Sequence, residues 1–193
     1  MKTLPFAHGI LNPGEALATP VISEAKSAAR NDCIVIIDTP PGTSCSMVES
    51  VRDTDFCVLV TEPTPFGLHD LKLAVDTAGK LGVPVGVVIN RCDLGGPEVK
   101  EFCDHKGIPV LLEIPLERRI AELYAKGIPL VIGSRRYLEM FTDLLQTVCK
   151  MVQGEKSTIQ IAGGNSKVRL ESMPGGVLSC SNEYGSRERG PLE

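Results

Sequence analysis

Four short aliphatic runs, at residues 33–38, 57–61, 85–90 and 109–113, alternate along the chain with stretches of helical periodicity. That alternation limits the possible folds more tightly than any other feature. Each run is β-branched or aliphatic at nearly every position, the pattern of a strand buried on both faces. Parallel neighbours need a crossover that returns the chain to the same end of the sheet, and a helix supplies it. Leu68, Leu71, Val75 and Ala78 recur at helical spacing after the second run, and residues 97–105 read as a second, more polar helix. The predicted class is α/β, a mainly parallel sheet with helices on both faces.

A small repeat supports these boundaries. Lys106-Gly107-Ile108-Pro109 recurs as Lys126-Gly127-Ile128-Pro129, and Lys80-Leu81-Gly82-Val83-Pro84 is a near copy. A Lys in the last turn, a Gly able to take positive φ, then a Pro that cannot continue the helix together spell a helix stop. Upstream, residues 15–30 are rich in Ala and compatible with a helix whose first turn holds Pro20. The last clear element covers residues 134–153. Tyr137, Phe141, Leu144, Leu145, Val148 and Val152 form one stripe opposite polar residues of mixed sign, as in a helix docked on a sheet. Beyond Gly154 the composition turns to Gly, Ser, Glu, Arg and Asn. Two regions are therefore expected: an α/β domain over 1–153 and a mostly disordered tail over 154–193, with at most a weak hairpin.

Composition excludes several classes. A hydrophobic fraction of 42% supports a core, and with 4% aromatics and no Trp that core is aliphatic. The formal charge of −4 gives no reason to expect nucleic acid. No apolar run approaches the ~18–20 residues of a membrane span, and the N-terminal residues lack the apolar core of a signal peptide. A cytoplasmic location is expected. None of the seven cysteines forms C-x-x-C, so neither a disulfide framework nor a metal site within this chain alone is anticipated. Cys33 and Cys57 begin strand patterns and read as small buried hydrophobes.

The strand ends carry the chemistry. The first run delivers Asp38, followed by Thr39-Pro40-Pro41-Gly42, a turn whose backbone can approach a ligand closely. An Asp leaving a buried strand is well placed to hold a water on Mg²⁺ beside a phosphate chain. Yet the phosphate-cradling pattern G-x-x-x-x-G-K-[ST] occurs nowhere, and the only Gly-Lys pair, Gly79-Lys80, precedes Leu81 at the end of a helical stretch.

Asp38-Thr39-Pro40-Pro41-Gly42 resembles the Walker B/switch segment of the MinD/Mrp branch of deviant-Walker P-loop ATPases. Four more segments follow the same branch. Thr61-Glu62-Pro63-Thr64-Pro65-Phe66-Gly67-Leu68-His69-Asp70-Leu71 is similar to that branch's T-E-P-T-x-x-G-x-H-D-L stretch. Val87-Val88-Ile89-Asn90-Arg91-Cys92-Asp93 resembles its base-recognition strand end, and Glu113-Ile114-Pro115 with Ile120-Ala121 its segment beside the base. Gly9-Ile10-Leu11-Asn12-Pro13-Gly14-Glu15 looks like the entry strand and turn of a subgroup with an inserted ferredoxin module. The resemblance spans residues 6–152 and implies a P-loop NTPase fold of the MinD-like (SIMIBI) kind with ATP and Mg²⁺ as ligands.

By the same resemblance Asp38 organises the Mg²⁺ shell and is the catalytic residue, while Pro41 and Gly42 lie at the γ-phosphate. Asn90 reads the adenine edge with Arg91 nearby, and Ile114 and Pro115 flank the base. Cys45 lies where the ferredoxin-bearing subgroup has a Cys, which implies contact with a 4Fe-4S cluster; a plain thiol is the ordinary alternative. The family's first strand, phosphate loop and ferredoxin Cys motifs are not found here. The chain is accordingly expected to be a fragment, half of a split protein or a degenerate relative, active on ATP only when completed. The expected partners are ATP or ADP and a complementary N-terminal half or a second copy. A non-catalytic scaffold derived from this fold is the alternative. A DNA-associated relative fits poorly for want of a basic stripe.

Overall fold

A computed structural model describes residues 5–11, 18–29, 33–158, 168–172 and 178–182. The chain divides into two compact units, one of Thr39–Gln160 and one of Met1–Asp38 with Ile161–Glu193. In the second unit the described elements are α1 (Thr19–Ser27) and an antiparallel pair, β4 (Val168–Ser172) and β5 (Leu178–Asn182). Pro20 occupies the first turn of α1, as its fixed φ suits. Of the entry strand expected over residues 9–15, residues 12–15 lie outside the described residues and 9–11 form no strand.

The larger unit runs α2 (Cys45–Val51), β1 (Cys57–Thr61), α3 (Pro65–Lys80), β2 (Val85–Asn90), α4 (Glu98–Lys106), β3 (Val110–Ile114), α5 (Arg118–Ala125), α6 (Leu130–Gly133) and α7 (Arg135–Thr158). The three strands are parallel in the order β1-β2-β3. Three of the predicted strands thus form the sheet, and the helix-stop reading holds: Gly82, Gly107 and Gly127 take φ of 70°, 67° and 65°. Helix α7 extends past the expected end, to Thr158.

Strand β2 shows why the sheet needs cover on both sides. Val87 and Ile89 face one way and join Leu71 of α3 and Val99 and Cys103 of α4. Val88 faces the other way and meets Ile114 and Tyr137, with Leu130, Phe141 and Leu144 packed around them. Gly86 lies beside Leu111, whose side chain fills the space a Cβ would take. Helix α2 closes the start of the sheet, with Met47 and Val51 against Val83, Cys57 and Ala74.

Residues 33–38, expected as the first strand, form no ladder among the described residues. Ile34, Val35 and Ile36 are 45%, 43% and 82% exposed, and Cys33 is exposed as well. An aliphatic run signals a demand for burial. A parallel strand forms only where its N–H and C=O groups also find a neighbour's.

Candidate functional site at the strand ends

In an open α/β sheet, ligands bind beyond the carboxyl ends of the strands, and there the larger unit has its distinctive geometry. After β1, Thr64 caps α3: it precedes Pro65 in the first turn, and its hydroxyl oxygen accepts the Gly67 N–H at 3.0 Å. Thr61, buried at the strand end, donates its hydroxyl to the Gly67 carbonyl at 2.9 Å. Gly67 is glycine for a steric reason, since a Cβ there would collide with the Glu62 carbonyl oxygen. The helix therefore starts tight against its strand. An open cleft of about 330 Å³ results, lined by Val60, Thr61, Glu62, Thr64, Asp70 and others, with Asn90 at the end of β2.

Asn90 lies in register with Ile114 of β3, so the two residues end neighbouring strands. Arg91 follows in the left-handed region, at φ 50°, a conformation a long side chain seldom adopts. Its Nε sits 3.5 Å from Glu62 Oε1, joining the ends of β1 and β2. The next peptide joins β2 to β3, as the Cys92 N–H donates to the Ile114 carbonyl at 3.0 Å. Leu116 N–H then donates to Asp93 Oδ1 at 2.7 Å.

Charge around the cleft is mainly acidic. Glu62 and Asp70 line it, and Arg91 offsets the first. Burial pushes the Cys92 thiol up, and the Glu113 and Asp93 carboxylates push it further. Lys100 is held above its usual range by its hydrogen bond to Glu113, at 2.7 Å.

The expected residues divide accordingly. Asn90, Arg91, Ile114 and Pro115 come together at adjacent strand ends. Pro41 and Gly42 lie in the exposed turn before α2, where Gly42 takes φ 93°, a value open to glycine. Cys45 is exposed as the first residue of α2. Asp38 is exposed and is the last residue of the N-terminal segment of the other unit. Among the described residues no three His, Cys, Asp or Glu side chains gather into a metal-holding group, and no helix is long and apolar enough to cross a membrane.

Sequence reasoning placed Glu62 and Asp93 within resemblance segments without giving either an individual role, and did not single out Gly95. Gly95 packs so closely on Pro63 that a Cβ would strike the Pro63 carbonyl. The Thr64 cap had a readable signature, a Thr directly before Pro at a helix start. The Asp93 contact had none, because its partner lies 23 residues on.

The profile of the family described as "ParA: NUBPL iron-transfer P-loop NTPase" matches residues 30–152. An uncharacterized protein of Methanocaldococcus jannaschii is 36% identical over 121 residues, which are 62% of this chain and 42% of that protein. An iron-sulfur cluster carrier protein of the same organism is 28% identical over 138 residues, 63% of this chain and 48% of that protein. A cytosolic Fe-S cluster assembly factor Nubp1 homolog of Drosophila yakuba is 27% identical over 147 residues, 64% of this chain and 46% of that protein. The chain thus spans about half the length, or less, of these curated relatives. No solved structure matches.

Proposed function

The chain belongs to the ParA family of NUBPL iron-transfer P-loop NTPases, and from that premise we propose that it is the base-reading and switch portion of an ATP-binding protein that serves iron–sulfur cluster handling. The observation that carries the nucleotide half is the register of Asn90 with Ile114 at adjacent strand ends, beside the strained Arg91. An Asn amide offers one donor and one acceptor side by side, the pair that complements an adenine edge. Pro115, half-buried at the same strand end, would supply an apolar flank for the base, whereas Ile114, expected beside it, is buried against Val88 and Tyr137 and only backs the strand end. Relatives named as iron-sulfur cluster carriers support the second half.

These residues fit a base better than a triphosphate. Glu62 and Asp70 in the cleft repel phosphate, and the sequence holds no G-x-x-x-x-G-K-[ST] loop to oppose them. Mg²⁺·ATP, when bound, brings the transferable phosphoryl group. This chain's own contribution would be orientation: Asn90 would fix the base and the Gly42 N–H would answer to the terminal phosphate, and Asp38 is the residue to which the family resemblance gives a metal-bound water. Hydrolysis then requires a phosphate-gripping segment beyond these residues. A cluster is cargo in this reading, met by Cys45 together with thiolates from elsewhere.

A non-catalytic interaction module is the second reading, favoured by the exposure of Val60 (67%) and Phe66 (84%) close to the cleft. Phosphate release from Mg·ATP tests the proposed division of labour. This chain should release phosphate no faster than buffer alone. Steady turnover that Asp38→Ala abolishes would contradict it.

A further inference from the structure

The loops that follow β1, β2 and β3 carry exposed apolar side chains around an acidic recess. Val60 lines the cleft, and Phe66 stands at the start of α3 between the lining residues Thr64 and Gly67; both are exposed. Leu94, also exposed, precedes Gly95, which packs on Pro63 of the turn after β1. Leu116 is exposed as well, and its N–H fastens it to Asp93, the neighbour of Leu94. One exposed apolar residue is ordinary on a protein surface. Four on adjoining loops around a recess mark a place where a partner is met.

The charge of the recess selects the partner. Glu62 and Asp70 line it. Arg91 answers Glu62 across 3.5 Å, whereas the exposed Asp70 enters no ion pair among the described residues. The recess therefore has a carboxylate to spare, which repels nucleic acid and anionic lipid and attracts an Arg or Lys. At about 330 Å³ the open cleft admits a side chain rather than a folded domain. Phe66 is held ready beside it: Pro65 fixes the first turn of α3, and the Thr64 hydroxyl accepts the Gly67 N–H. An aromatic residue on so firm a support needs little ordering when it is covered. We propose that this recess docks a basic peptide segment of a protein partner, with an Arg or Lys facing Glu62 and Asp70 and the apolar residues beside it meeting Val60, Phe66 and Leu94. The inference is independent of the nucleotide reading, because none of these residues is assigned to the base or the phosphates.

The test titrates a capped pentapeptide, Ala-Leu-Arg-Leu-Ala, into the isotope-labelled chain without nucleotide and follows its amide signals by NMR. The controls replace the Arg by Glu, or both Leu by Ala. The basic peptide should move the signals of Thr64, Gly67 and Asp70 saturably, and the Glu peptide should leave them in place. The Ala control should bind at least about threefold more weakly. Asp70→Asn should lower affinity for the basic peptide about threefold, the scale of an exposed ion pair, and added salt should lower it in the wild type. Phe66→Ala should lower it about fivefold, as for one aromatic anchor. Both side chains are exposed, so both variants should keep the wild-type spectrum away from the cleft. Equal binding of the Glu peptide, or an affinity indifferent to Asp70→Asn, would overturn the basic partner. An affinity indifferent to Phe66→Ala would overturn the apolar contact. No shift at millimolar basic peptide, or shifts confined to amides away from the cleft, would overturn the site. If the same amides move when the chain alone is concentrated, the recess belongs to a second copy and the assignment fails.

Discussion

Arg91 holds φ at 50°, a region that costs a side-chain-bearing residue about 1–2 kcal/mol. Its ion pair with Glu62 spans 3.5 Å between partly exposed side chains and returns at most about 1 kcal/mol. The pair does not offset the strain, and strain held in place this way is characteristic of binding sites. Arg91→Gly should therefore leave folding stability unchanged or raise it by up to about 1 kcal/mol, while weakening nucleotide binding. Urea denaturation checks the first half; a loss of more than about 1 kcal/mol would show that the side chain is structural. At this scale the sequence was informative about residue types and silent about partners. Asn90 and Ile114 were each recognisable as strand ends, but only the register places one beside the other. The Asp93–Leu116 bond joins two loops and leaves no periodic trace.

Among the elements, β1, β2 and β3 were readable as aliphatic runs, although β2 is buried on both faces while β1 leaves Val58 and Val60 exposed. The same property misleads for residues 33–38, where the pattern is present and no ladder forms among the described residues. The capped start of α3 shows what side-chain pattern does settle. Thr64 and Pro65 begin the helix, and Gly67 lets it start against the Glu62 carbonyl. Gly67→Ala should cost roughly 2 kcal/mol, because the obstacle is backbone and overpacking of this kind costs about 1–3 kcal/mol. It should also disturb the cleft. Gly79 lies in the last turn of the same helix, and a Cβ added there would meet nothing within 4 Å. Gly79→Ala should stabilise the helix by up to about 1 kcal/mol. Thermal melts of the two variants should move in opposite directions, and a Gly67→Ala protein as stable as the wild type would refute the close-approach argument.

On the scale of the molecule, the three-stranded sheet pairs β2 on both sides and β1 and β3 on one side each. Strand β1 presents Val58 and Val60 at 38% and 67% exposure. Among the described residues the outer sides of β1 and β3 carry no ladder; aliphatic edges lacking charges that discourage pairing invite association, and for a domain stable by only about 5–15 kcal/mol several unpaired backbone groups would be a large deficit. The chain should self-associate or take up a complementary segment, so sedimentation should show mass rising with concentration; a compact monomer throughout would show that the edges are covered within the chain. The central claim, a nucleotide site built at the ends of β1, β2 and β3, is tested most directly by titrating the chain with Mg·ATP beside Asn90→Ala. The account predicts saturable binding that the substitution weakens about tenfold, as expected when a base-reading amide worth about 1–3 kcal/mol is removed. No binding at millimolar Mg·ATP, or an affinity indifferent to Asn90, would contradict it.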